Sequence, residues 1–213
     1  MKTTKTSWRN VSINEYFSLK EKLDNTLQPY EKEIIKMAII TEKPEEDILN
    51  LNLNEFKKLQ ETGSWLNEFN INTKPNFKSI TLNGKKYNID TNLQNFTVAQ
   101  YIDFQTFYPK FKENHQFMGN VLACFIIPDK CKYNEGYDIQ ELINEIMENL
   151  DIMTAQEILY FFHWQSLILM RVLANYCNWT IKRMKNKKQR QTLEEEWNKT
   201  KQSILDGFRS WTM

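Results

Sequence analysis

The sequence predicts a mainly α protein: a helical bundle with one small β-hairpin at about residues 77–89 and a long C-terminal helical region. Three observations predict it. With only 5 Gly and 5 Pro in 213 residues, a turn-rich sandwich or barrel is disfavoured. Four segments place a capping residue three positions before Glu or Gln: Ser12-x-x-Glu15, Thr97-x-x-Gln100, Asp138-x-x-Glu141 and Thr154-x-x-Glu157. Such a box satisfies, reciprocally, two backbone N–H groups that a helix start leaves orphaned. One stretch alternates apolar and polar residues around Asn83-Gly84, a dipeptide that tolerates the positive φ angles of a type I′ turn.

The elements follow in chain order. Each capping box carries an apolar staple: Val11 with Tyr16, Phe96 with Tyr101, Tyr137 with Leu142, and Met153 with Ile158. Pro29 suits a first helical position, and Tyr30, Ile34, Met37 and Ala38 then recur at helical spacing opposite charged Glu31, Lys32, Glu33 and Lys36. A short element over Pro44 to Leu49 precedes a helix marked by Phe56, Leu59 and Leu66, which is bent or broken near Gly63. In the hairpin the inward side chains are Ile80, Leu82, Tyr87 and Ile89. A lone hairpin is marginal in water, so it must lean on helices.

The run Val121 to Ile127 is apolar throughout and ends at Pro128; its periodicity fits a buried strand or the end of a buried helix, and its length favours helix. From Thr154 a further helix begins, apolar almost all round through Ile158, Leu159, Phe161, Phe162 and Leu167 to Leu173. That pattern belongs to a central core helix or an oligomer interface. Three regions result: an N-terminal helical region over 1–74, the hairpin plus core helices over 75–180 in one domain with the first, and a charged helical extension over 181–213.

Composition narrows function. Lys+Arg 28 against Asp+Glu 27 leaves a net charge of +1, too little for a global field toward nucleic acid or membrane. Of the basic residues 23 are Lys, so Arg, the usual bidentate reader of phosphates and bases, is scarce. The apolar stretch Ile158 to Leu173 is interrupted by His163, Gln165, Ser166 and Arg171, short of the roughly eighteen apolar residues a membrane span needs. The N-terminus has no apolar secretion-signal core, and three cysteines, Cys124, Cys131 and Cys177, suit a reducing compartment. No membrane partner is expected.

No residue constellation points to catalysis. Cys124, Cys131, His115 and His163 lack the close ligand pairs of a structural zinc site, and buried cysteine as a small hydrophobe is the better reading. Asp90, Asp103, Asp138 and Glu141 are better explained by turns, helix surfaces and caps than by an acid–base pair. Neither a phosphate-binding Gly loop nor a GxSxG or HExxH motif occurs. The expectation is a protein that is no enzyme and takes no cofactor or metal.

Binding has better candidates. Trp179, Trp197, Ile204, Leu205, Phe208 and Trp211 lie on or beside a polar, amphipathic C-terminal segment, where projecting aromatics suit a partner's groove. The same residues could dock on the chain's own core. Lys182, Arg183, Lys185, Lys187, Lys188 and Arg190 form a basic run that could release counterions from a nucleic-acid backbone. No aromatic is interleaved for base stacking, and Glu194, Glu195 and Glu196 offset the charge nearby, so a solvated helix face is favoured.

Several segments in order carry a resemblance: Ser12-Ile-Asn-Glu-Tyr16, Tyr30-Glu-Lys-Glu-Ile-Ile-Lys-Met37, Pro44-Glu-Glu-Asp-Ile-Leu49, Phe56-Lys-Lys-Leu59, the hairpin with Tyr87-Asn-Ile-Asp90, Phe96-Thr-Val-Ala-Gln-Tyr-Ile-Asp103, Tyr133-Asn-Glu-Gly-Tyr-Asp138 and Phe161-Phe162. This layout, over about residues 12 to 165, resembles the small tail-assembly chaperones and baseplate-hub assembly proteins of tailed bacteriophages. The resemblance implies a non-enzymatic morphogenesis role in the host cytoplasm, with phage tail, hub or portal proteins as partners. A structural or packaged cargo component of the virion near portal or tail fits the same residues, as does a homo-oligomer. A nucleic-acid-binding accessory protein using residues 182–190 is the reading from a different class.

Overall fold

Local side-chain chemistry decides where most helices begin. The computed structural model describes residues 5–70, 78–90 and 95–162, with isolated helical positions at Arg183, Leu193, Glu195 and Asn198. The chain divides into two compact units, Met1–Phe161 and Phe162–Met213, and the described elements lie almost wholly in the first. That unit is mainly helical with one small antiparallel sheet.

Helix α1 (Ile13–Asn25) starts from Ser12, whose hydroxyl accepts from the Glu15 N–H while the Glu15 carboxylate accepts from the Ser12 N–H at 2.8 Å. The expected box is complete. Helix α2 (Pro29–Thr41) has proline at its first position and ends at Glu42, which takes the left-handed conformation with φ 51°. A single turn, α3 (Glu45–Leu49), leads to α4 (Leu53–Thr62), capped by Asn52 and Glu55. Gly63 closes α4 and opens a 3-10 turn over Ser64–Asn67, where the sequence predicts a break. A Cβ there would meet Ile40 Cδ1 and Met37 Cε at 3.0 Å, so the glycine allows close packing on α2. Met37, Ile40, Ile48 and Leu59 form the buried centre of these three helices.

Strands β1 (Ser79–Leu82) and β2 (Lys85–Ile89) pair antiparallel about Asn83 (φ 47°) and Gly84 (φ 76°), as a type I′ turn requires. Leu82, Tyr87 and Ile89 are buried and Ile80 partly so, the predicted face. The hairpin is not alone. A third strand, β3 (Ile126–Pro128), pairs with β2, setting Ile89 against Ile126. The run Val121 to Ile127 is therefore both of its readings in turn: α6 (Met118–Ala123) supplies its first half and β3 its second. A proline at the end of an edge strand costs no ladder hydrogen bond.

Helix α5 (Val98–Glu113) begins at the complete Thr97–Gln100 box. The Gln100 amide does double duty, because its nitrogen donates to the buried Cys124 carbonyl at 3.1 Å. Its staple differs from expectation: the Phe96 ring lies 5.3 Å from that of Phe125, and Tyr101 faces solvent. Helix α7 (Ile139–Asn149) is capped by Asp138 alone, which accepts from Gln140 and Glu141, while the Glu141 carboxylate reaches toward Lys85 at 3.9 Å. Gly119 lets α6 sit on α7; a Cβ there would lie 2.8 Å from Met147 Cγ and 3.0 Å from Ile143 Cγ2.

Helix α8 is described over residues 152–162 and begins at residue 152, not at Thr154. Asp151 is the residue whose carboxylate accepts from the Thr154 N–H, at 2.8 Å. Thr154 and Glu157 are thereby buried inside the helix, and their polar atoms face Arg9. Antiparallel backbone bonds, Ile13 N–H to Leu150 O and Ile152 N–H to Val11 O, tie the starts of α1 and α8 together. From 152 to 159 only Gln156 is not fully buried, so this stretch is a core helix, one of the two readings its all-round apolarity allows.

Candidate protein-binding surface

Three buried polar arrangements tie elements together. Arg9 donates to Glu157 Oε1 at 2.6 Å and to the Thr154 hydroxyl at 3.2 Å. The Tyr87 hydroxyl donates to Glu145 at 2.5 Å, joining the sheet to α7. The Tyr133 hydroxyl donates to Asp103 at 2.7 Å and lies 4.0 Å from Cys124 Sγ. Burial, and then the acceptor carboxylate, push both phenols above their ordinary range. Burial likewise pushes the Cys124 thiol up to about 12, with Asp103 adding to the rise against the Tyr133 hydrogen bond. A thiol and two phenols held protonated at neutral pH are structural anchors.

That gives a direct test. Iodoacetamide at pH 8 is expected to label the partly exposed Cys131 more than about tenfold faster than Cys124, with the difference vanishing in urea. Time-resolved peptide mass spectrometry measures it. Equal native rates would mean the Cys124 site opens readily.

The other sequence candidates for chemistry are dispersed. His115 stacks on Phe17, with ring centroids 4.8 Å apart, and burial followed by the Lys20 charge lowers its pKa. Asp138 caps α7, and Asp103 holds Tyr133. His163 lies outside the described residues. Among the described residues no cluster of three or more His, Cys, Asp or Glu could hold a metal ion. No helix among them is long and apolar enough to cross a membrane.

Two concave features stand out among the described residues. The larger is an open polar cleft of about 520 Å³ lined by residues that include Lys5, Arg9, Glu15 and Asp151. Its cations are committed: Lys5 pairs with Glu15 at 2.8 Å and Glu42 at 3.3 Å, and Arg9 with Glu157. Burial alone would raise the Glu15 pKa, but the Lys5 and Ser12 hydrogen bonds outweigh it and hold the carboxyl below its ordinary value. This cleft is an internal ion-pair network open to water.

The second is an apolar groove of about 330 Å³ among α2, α3 and α4, lined by Tyr30, Glu33, Ile34, Ile48, Leu49, Leu51, Leu53, Phe56 and Gln60. Its floor continues the N-terminal core: Ile48 is buried, and Ile34, Leu51 and Phe56 pack partly against that core. At its rim Tyr30, Leu49 and Leu53 stand 62%, 64% and 75% exposed. Tyr30 therefore faces water, although its helical spacing groups it with Ile34 and Met37. A second exposed apolar set, Val98, Tyr101 and Ile102, occupies one side of the first turns of α5. Neither surface was singled out by sequence, because apolar residues at helical spacing look the same whether covered or not.

The binding residues chosen from sequence are placed otherwise. Trp179, Trp197, Ile204, Leu205, Phe208 and Trp211 lie outside the described residues, as do Lys182, Lys185, Lys187, Lys188 and Arg190. Arg183 is an exposed helical position, and so is Leu193 within the amphipathic segment. Comparison with protein-family models, curated proteins and solved structures finds no match to this chain.

Proposed function

We propose that the chain is a non-enzymatic, protein-binding morphogenesis factor of a tailed bacteriophage, similar in role to a tail assembly chaperone. The observation that carries the binding half is the groove rim, where Tyr30, Leu49 and Leu53 remain largely in water above an apolar floor. Covering a large apolar side chain is worth about 1.5–3 kcal/mol, so a partner that closes this rim gains what the isolated chain forgoes. The Val98, Tyr101 and Ile102 face supports the same reading, because its residues lie at helical i, i+3 and i+4 positions and share a side. The phage half rests on the resemblance carried by the succession of sequence segments between about residues 12 and 165. Tail, hub or portal proteins are then the partners and the infected host's cytoplasm the place of action. Retention in the virion near portal or tail is the neighbouring reading.

The test is affinity capture of the tagged chain from infected cells, beside proteomics of purified particles. Tail, hub or portal proteins are expected to co-purify with the wild-type chain. Leu49→Asp with Leu53→Asp, or Tyr101→Asp with Ile102→Asp, should reduce recovery about tenfold or more while thermal unfolding stays unchanged. Presence in particles selects the virion role. Recovery of neither partners nor particles would defeat both.

A further inference from the structure

We infer that the outer edge of β1 receives an extended acidic segment of another protein, which joins the three-stranded sheet as a further antiparallel strand and alternates apolar side chains with Asp or Glu. This site is separate from the groove and from the α5 face, so it stands or falls apart from them.

The edge is open in its backbone. The two-residue turn at Asn83-Gly84 and the bond from the Ile89 N–H to the Lys78 carbonyl set the parity of β1, so that residues 78, 80 and 82 bond to β2. Ser79 and Thr81 therefore turn their N–H and C=O groups outward. Among the described residues these four groups have no hydrogen-bond partner. The opposite edge of the sheet is closed: Pro128 has no N–H, its carbonyl accepts from Cys131, and Ile126 is fully buried. A strand laid antiparallel along β1 would exchange both backbone bonds with Ser79 and again with Thr81.

The side chains of the occupant follow from the two faces of the sheet. Leu82 is buried on the inner face and Ile80 only partly so, which leaves that face to be continued by an apolar residue opposite Ile80. The outer face carries Ser79, Thr81, Lys86 and Asn88, all exposed. Residues 78–89 hold three lysines and no acid. Lys85 pairs with Glu145 at 3.5 Å and lies 3.9 Å from Glu141. Lys78 and Lys86 are exposed and make no ion pair or side-chain hydrogen bond among the described residues. Lys86 stands directly opposite Thr81, one strand in from the edge. A carboxylate opposite Thr81 on the new strand is met by that ammonium, and one near the start of β1 is met by Lys78. A second copy of β1 would instead bring its own Lys78 and Lys86 to the same edge, and lysines so placed are a device that keeps edges from pairing with themselves.

The test titrates the full chain with fluorescein-labelled peptides of about eight residues, a common strand length, in which valine alternates with glutamate or with lysine. Fluorescence anisotropy should show the glutamate peptide binding about tenfold more tightly at low salt, and Lys78→Glu with Lys86→Glu should reverse that order. In the inferred register the glutamates lie opposite Ser79 and Thr81 and are the residues that bond to β1. Methylating the glutamate backbone nitrogens should therefore abolish binding, and methylating those of the valines should weaken it by less than about threefold. Thr81→Pro should also abolish binding with thermal unfolding nearly unchanged, because the N–H it removes faces outward and the ladder to β2 keeps its bonds. No binding, equal binding of the two charge types, or equal sensitivity to the two methylation patterns would overturn the inference. So would self-association in sedimentation that Thr81→Pro abolishes, which would give the edge to a second copy.

Discussion

Replacing Arg9 with alanine is expected to destabilise the protein by about 3 kcal/mol, read as a lower urea midpoint at unchanged slope. The reason is the asymmetry of the pair. The Glu157 side chain is 1% exposed and that of Arg9 50%, so removing the arginine takes a charge-assisted hydrogen bond of 2.6 Å away from a carboxylate inside the protein. Breaking a buried pair from one side commonly costs about 3–5 kcal/mol, and the low end applies because water can follow the lost, half-exposed arginine. Arg9→Lys should fall between, since one ammonium cannot reproduce the fork that reaches both Thr154 and Glu157. The double change Arg9→Met with Glu157→Leu should recover part of the loss, because it removes the buried charge together with Arg9. A stable Arg9→Ala protein with unaltered packing around α8 would show that Glu157 does not depend on Arg9.

The Arg9 contact also marks where sequence reasoning stops. Thr154-x-x-Glu157 has the letters of a capping box, and the same letters at Ser12 and Thr97 do form boxes. The difference lies in what surrounds them. Asp151 stands three positions earlier and takes the capping role, and the backbone tie to Val11 buries the first turn. Glu157 is thus turned inward, toward a residue 148 positions away in sequence. Local patterns carry local geometry, such as Pro29, Gly63 and Asn83-Gly84, because their causes lie within a few residues. Long-range partners have no such signature.

The run Val121 to Ile127 illustrates the same limit from the other side. A continuous apolar run has no period, so its division into α6 and β3 is decided by the hairpin, which needs a third strand, and by α7, against which Gly119 packs. The groove was illegible for a related reason. Tyr30, Leu49 and Leu53 come from three separate elements, and only their assembly shows that the surfaces they share stay uncovered. Exposure is a property of the fold.

Phe125→Ala is expected to have the largest effect of any single change proposed, about 4 kcal/mol within the roughly 3–5 typical of buried Phe→Ala. Phe125 is fully buried between α6 and β3, and its ring meets Phe96 at 5.3 Å and Phe104 at 5.4 Å. Its carbonyl accepts from Asp90, which anchors the end of β2. Phe96 precedes α5 and Phe104 lies within it, so one ring braces the helix that presents Val98, Tyr101 and Ile102. Loss of the ring should therefore leave a cavity and loosen α5 first, with the Gln100 bond to Cys124 and the Tyr133 bond to Asp103 among its remaining ties. Hydrogen exchange should show protection lost in α5 and β2 before α2, whose core of Met37, Ile40, Ile48 and Leu59 does not include Phe125. Phe125→Leu, which refills most of the volume, should cost about 1–1.5 kcal/mol and leave α5 protected. Uniform loss of protection in α2 and α5 alike would mean that the two cores unfold as one, and partner binding through the groove could not then be separated from binding through α5 by mutation of either core.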